Sequence, residues 1–210
     1  MVQVKVCGIT NLRDALAAVA AGADALGFNF YPRSPRYIAP EEARRIISHL
    51  PSPVLCVGVF VDEDDPRTVA ETAVVSGVFA VQLHGDESRE YCAALHEHHV
   101  IKALRVGTDF APEDAAQYRA QAVLLDAYSE HGRGGTGETF DWSMARRTRA
   151  AVAQLYLAGG LTPENVAAAI AEVEPYAVDV CSGVESAPGR KDDGRMRAFV
   201  SAVRACEKMP

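Results

Sequence analysis

Eight short apolar runs, separated by segments with helical spacing, organise this chain of 210 residues. They fall at roughly Val2 to Val6, Ala25 to Phe30, Val54 to Val61, Val78 to Leu83, Val100 to Arg105, Ala122 to Asp126, Gln154 to Ala158 and Ala177 to Cys181. Strands that alternate with helices pair in parallel through right-handed crossovers. Repetition of that unit along the whole chain predicts an α/β fold, a (β/α)8 TIM barrel near the short end of its range, with residues 1–210 as a single domain. An open doubly wound sheet uses the same units but often starts with a glycine-rich phosphate turn, and no GxGxxG follows the first run.

Helix starts are marked by proline in a first turn with an acid beside it, at Asp65-Pro66, Pro40-Glu41, Pro112-Glu113 and Pro163-Glu164. Alanine-rich stretches at Leu12 to Ala21, Val166 to Glu172 and Met196 to Cys206 supply the helical spacing.

Hydrophobic residues make up 49% and charged residues 23%, near the averages of folded globular chains, so neither disorder nor a fibrous array is expected. A net charge of −7 argues against nucleic acid or an anionic membrane as the main partner; an anionic substrate then needs a local pocket. No apolar stretch approaches a bilayer span and no export signal opens the chain, so a cytoplasmic location is expected. The five cysteines form no CxxC and are odd in number, which suits reduced thiols, with Cys56 packing as a small core residue.

A barrel of this kind gathers its chemistry at the C-terminal ends of its strands. Those ends carry Cys7-Gly8, Asn29, His84-Gly85, Asp126, Gly159-Gly160 and Ser182-Gly183. Valines 2, 4 and 6 share one face of the first strand, so Lys5 and Cys7 share the other. A thiol beside an ammonium and near a helix start predicts a lowered pKa and a thiolate base; a packed core thiol is the plain alternative. Asp126 closes an apolar strand, as a proton donor of raised pKa or as a cap for the next loop. The two glycine-containing turns after runs seven and eight fit the phosphate site recurrent in such barrels. Between Tyr31 and Tyr37, Arg33 and Arg36 offer a clasp for a carboxylate or form an exposed basic loop. His84 is a candidate pocket residue. His96, His98 and His99 have no carboxylate spaced to complete a metal set, so no metal is expected. The irregular stretch 127–139, with Gly132 to Gly137 inside it, is a candidate lid.

Taken in order, KVCGIT at 5 to 10, GFNFYPRSPRYI at 27 to 38, VQLHGDE at 81 to 87, LLDA at 124 to 127, GGTGETFDW at 134 to 142, LAGGLTPENV at 157 to 166 and VDVCSGVESAPGRKD at 178 to 192 resemble the phosphoribosylanthranilate isomerases of tryptophan biosynthesis. The likeness runs from end to end. It implies conversion of N-(5-phosphoribosyl)anthranilate to 1-(2-carboxyphenylamino)-1-deoxyribulose 5-phosphate, an Amadori rearrangement without metal or organic cofactor. By carry-over, Asp126 is the general acid and Cys7 the general base. Arg36 then holds the anthranilate carboxylate, His84 and Asp179 contact substrate, and Gly159, Gly160, Ser182 and Gly183 hold the phosphate. Cys181 departs from the pattern, which commonly has serine there. The expected partner is a small phosphosugar, bound by a monomer or weak homodimer. A histidine-pathway aminoaldose as second substrate, a Schiff-base aldolase using Lys5 or Lys102, and a non-catalytic phosphosugar-binding protein remain as other readings.

Overall fold

In the computed structural model, which describes residues 1–106, 110–126 and 142–206, eight parallel strands close on themselves in chain order. They are β1 (Gln3–Val6), β2 (Ala25–Asn29), β3 (Leu55–Phe60), β4 (Ala80–Leu83), β5 (His99–Arg105), β6 (Ala122–Asp126), β7 (Leu155–Ala158) and β8 (Ala177–Val180). Every strand lies within two residues of its predicted run. The ring is closed by β1 on β8, with Lys5 opposite Asp179 and Val6 opposite Val180.

Strand alternation divides the apolar residues into two cores. Val57, Ala80, Ile101, Leu124 and Tyr156 point inward and fill the barrel. Their neighbours Phe28, Phe60, Leu83, Leu125 and Leu155 point outward and meet Ala15, Val69, Val166 and Phe199 of the surrounding helices. Each large side chain so buried contributes about 1.5–3 kcal/mol. Among the described residues, no helix is long and apolar enough to cross a membrane.

The helices are α1 (Leu12–Ala21), α2 (Pro40–Ile47), α3 (Pro66–Ser76), α4 (Arg89–Ala94), α5 (Trp142–Ala151), α6 (Val166–Val173) and α7 (Asp193–Cys206). Local signals explain their ends. The Asn11 side-chain carbonyl accepts from Asp14 N–H at the start of α1, the Asp65 carboxylate accepts from Arg67 N–H at the start of α3, and left-handed Gly22 and Gly77 close those two helices.

Two expectations are corrected. The segment begun by Pro112-Glu113 is a six-residue 3₁₀ turn, Pro112–Gln117, rather than an α-helix. Its inward residues Pro112, Ala115 and Tyr118 recur every third position, the period of a 3₁₀ helix, so the tighter winding keeps them on one side. Pro163-Glu164 lies in a turn ahead of α6. There the Asn165 side chain accepts from Thr162 N–H and donates to Gly160 O, fixing one bend of chain before the helix.

After β8 the chain makes a 3₁₀ turn, Ser182–Val184, and a small hairpin of β9 (Glu185–Ala187) and β10 (Arg190–Lys191). Asp14 of α1 accepts from Lys191 N–H at 2.8 Å, and Thr10 donates to Gly189 O at 2.6 Å. These bonds pin the hairpin beside the end of β1.

Candidate active site

At the end of β1, Lys5 and Cys7 both turn into the barrel over Gly27, as the parity of the strand requires. A Cβ on Gly27 would stand 2.6 Å from the Cys7 sulfur and 3.2 Å from the Lys5 nitrogen, so a bare backbone makes their room. Lys5 is fully buried and its Nζ lies 2.9 Å from Asp179 Oδ1. Burial opposes the ammonium, but Asp179 and Cys7 outweigh it and hold the Lys5 pKa above its usual range. Asp179 therefore serves first as the counter-ion of Lys5.

Cys7 is partly exposed, but the expected lowering of its pKa is corrected: the thiol is shifted up. Burial is the largest cause. Lys5 pulls the other way, and the Asp179 carboxylate weakens that pull.

Arg36 comes from the proline-stiffened loop after β2, where Ser34 Oγ accepts from Arg36 N–H. Its Nε and Nη2 donate side-on to the two oxygens of Glu185, at 2.9 and 2.6 Å. Glu185 also accepts from Lys191 Nζ at 2.8 Å, so two cations share one carboxylate. Burial raises the Glu185 pKa, but Arg36 and Lys191 more than reverse that. The hydrogen bonds donated to Glu185 fix one edge of the guanidinium. Its end, Nη1 with the second Nη2 hydrogen, keeps the geometry for a further carboxylate. Arg33 stays exposed on the same loop.

The opposite rim carries Asp126 at the end of β6, three strands from β1 around the ring. Its Oδ2 lies 3.3 Å from His84 Nε2, and His84 Nδ1 lies 2.7 Å from Gln82 Nε2. Asp126 and His84 each keep about a quarter of their side chain in contact with solvent. Asn29 is a structural residue, since its side-chain carbonyl accepts from Tyr31 N–H and turns the Arg36 loop.

The two glycine turns meet as expected. A Cβ on Gly183 would sit 2.0 Å from Leu161 O, so the chain after β8 packs directly on the loop after β7. Gly159 and Gly160 have φ of 88° and 65°, and a Cβ on Gly160 would face open space. Ser182 is exposed on the 3₁₀ turn beside them. Together these turns bring two glycine-containing stretches of backbone side by side.

Lys102 does not belong to this site, which corrects the aldolase reading. It alternates with inward-facing Ile101 and Ala103, and so points outward toward α4, where its Nζ lies 2.6 Å from Glu87 Oε2 and 2.7 Å from Gly85 O. Lys5 is likewise engaged by Asp179. Among the described residues no group of three His, Cys, Asp or Glu side chains is placed to hold a metal. The candidate lid lies outside the described residues. Glu185, Lys191 and Gln82 were missed by sequence reasoning; only the inward parity of Gln82, two residues before His84, could have flagged one of them.

Residues 4–202 match the family described as N-(5'phosphoribosyl)anthranilate (PRA) isomerase. The N-(5'-phosphoribosyl)anthranilate isomerase of Trichlorobacter lovleyi is 54% identical over 200 residues, covering 95% of this chain and 97% of that one. The crystal structure of phosphoribosyl anthranilate isomerase from Thermotoga maritima is similar with a TM-score of 0.90 and 49% identity, over 98% of this chain and 100% of that one. A crystal structure of phosphoribosyl anthranilate isomerase in complex with reduced 1-(o-carboxyphenylamino)-1-deoxyribulose 5-phosphate gives a TM-score of 0.87 at 48% identity, over 98% and 100%. This agreement spans both the sequence and the barrel, and the chain belongs to the N-(5'-phosphoribosyl)anthranilate isomerase family.

Proposed function

We propose that Asp126 and Cys7 divide the proton transfers by which this isomerase of tryptophan biosynthesis rearranges N-(5-phosphoribosyl)anthranilate. The observation that supports the reading is their placement: a carboxylic acid ends β6 and a thiol follows β1, on opposite sides of one barrel mouth. Asp126 gives a proton to the furanose oxygen, the bond from that oxygen to the anomeric carbon breaks, and the anilino nitrogen lone pair forms the protonated imine. Cys7, as thiolate, then removes the proton from the neighbouring sugar carbon to give the enolamine, which tautomerises to the aminoketone. The rearrangement is redox-neutral: one ring C–O bond opens, protons are relocated between oxygen, nitrogen and carbon, and no group leaves the substrate.

The remaining groups hold the substrate between them. The end of the Arg36 guanidinium takes the anthranilate carboxylate while Glu185 fixes its side. Backbone amides of Gly159, Gly160, Ser182 and Gly183 take the phosphate. Lys5 supplies positive charge beside the thiolate as it forms, and Asp179 tempers it.

Acid and base each contribute on the order of 10² to 10⁴-fold. Cys7→Ala and Asp126→Ala should therefore each lower kcat by at least about 10²-fold, with unchanged circular dichroism. The assay follows the fluorescence of phosphoribosylanthranilate as it is consumed. Near-normal kcat in both variants would overturn the assignment and favour a binding protein.

A further inference from the structure

Gln82 points into the barrel from β4 and is 1% exposed, yet its Oε1 has no hydrogen-bond partner among the described residues. A buried carbonyl left unsatisfied is unfavourable, and leucine or methionine would fill much the same volume without that penalty. The nitrogen of the same amide is well used, 2.7 Å from His84 Nδ1. An amide NH2 can only donate, so the ring nitrogen facing it carries a lone pair and the imidazole proton sits on Nε2. That proton is aimed at Asp126 Oδ2, 3.3 Å away.

We propose that Gln82 is a positioning residue for the acid step: it fixes His84 as the Nε2–H tautomer and so supplies Asp126 with a hydrogen-bond donor. The donor matters when Asp126 releases its proton to the sugar ring. Negative charge then grows on the carboxylate, and a hydrogen bond to it strengthens as the charge develops. At 3.3 Å the contact is long, as is common for catalytic hydrogen bonds before substrate is bound. Were the tautomer reversed, Nε2 would present a lone pair to the new carboxylate and oppose the same step. The influence of Gln82 on the acid passes through His84, to which its amide donates.

The inference rests on Asp126 being the acid, and three measurements separate the two ideas. Nitrogen-15 NMR of the intact enzyme should show His84 as the Nε2–H tautomer, and a predominant Nδ1–H form would overturn the proposal without any variant. Gln82→Leu should lower kcat about tenfold, the loss expected for one hydrogen bond, with little change in KM and a mixed tautomer signal. In a His84→Ala background the same substitution should have no further effect on kcat. An equal loss in both backgrounds, or no loss in the parent, sinks the positioning role while a dead Asp126→Ala enzyme leaves the acid assignment standing. Full activity of Asp126→Ala sinks both.

Discussion

Two lysines in this barrel are buried and lie within 3 Å of a carboxylate, yet one clamps backbone and the other sits beside the thiol at the barrel mouth. Lys102 lies between sheet and helices. Its ammonium binds Glu87 and the carbonyl of Gly85, while Glu87 accepts from the backbone N–H groups of Gly85 and Asp62. Every partner in that set lies in the turns after β3 and β4, so the pair holds backbone. Lys5 lies inside the barrel with Asp179 as its counter-ion and the Cys7 thiol alongside. A buried ion pair is therefore no sign of function by itself; what decides is whether the charge left over faces backbone or a group that must change protonation.

The sharpest way to break the comparison is to remove the clamp. Lys102→Met strands Glu87 as a buried unpaired carboxylate, and loss of one partner of such a pair costs about 3–5 kcal/mol. For a chain of this size each kcal/mol lowers Tm by about 2–4 °C, so calorimetry should register a fall of roughly 6–20 °C. Turnover measured well below the new Tm should persist, because Lys102 faces away from the mouth. An unchanged Tm would show that the pair clamps nothing.

Next in size is the pH dependence of the base. The thiol pKa of Cys7 is raised, and in the proposed role the reactive form is the thiolate, so the active fraction should be small at neutral pH and grow as pH rises. Where the thiol predominates, the thiolate fraction rises about tenfold per pH unit. The kcat/KM profile should climb accordingly from neutral toward alkaline pH and level off above the Cys7 pKa, in the parent and in Lys102→Met alike. A flat profile from neutrality upward would mean that the thiolate is already formed and that Lys5 outweighs burial after all.

Asp179→Asn tests the other lysine with a smaller effect. Asp179 raises the Cys7 pKa by its own charge and by engaging Lys5. Neutralising it should lower that pKa, and a fall of one unit gives about tenfold more thiolate at neutral pH. Alkylation of Cys7 by iodoacetamide, followed by mass spectrometry, should quicken accordingly, while Glu87→Gln leaves it as in the parent. Slower alkylation in Asp179→Asn would reverse the electrostatic account.

These contrasts also mark what could be read from the chain alone. Strand parity put Lys5 and Cys7 on one face and Asp126 at a strand end, because alternation is a local property. Lys5 meets Asp179 across 174 residues and Arg36 meets Glu185 across 149, contacts fixed only when β8 closes against β1. The sign of the Cys7 shift was misread for a related reason: a neighbouring lysine is visible in sequence, whereas exclusion of water by the surrounding barrel is not. At Pro112 the start signal was present, but proline and acid open a 3₁₀ turn as readily as an α-helix, and the spacing of the buried residues chose the former.

The smallest expected effect concerns Cys181, opposite Cys7 on the neighbouring strand. Its sulfur lies 3.8 Å from Glu185 Oε1 and 3.7 Å from Lys191 Nζ, and burial, its chief influence, pushes the thiol pKa up to about 12. At neutral pH it is an uncharged donor beside a carboxylate, a task a serine hydroxyl performs as well, and the backbone amides of Ser182 and Gly183 do not depend on it. Cys181→Ser should hold kcat/KM within about twofold, far less than the change expected for removing a general base. Cys7→Ser makes the same one-atom exchange and should lose at least about 10²-fold, since a hydroxyl is far too weak an acid to supply an anionic base. Equal losses at the two positions would mean that the rim responds to packing around sulfur rather than to the proton transfer proposed for Cys7.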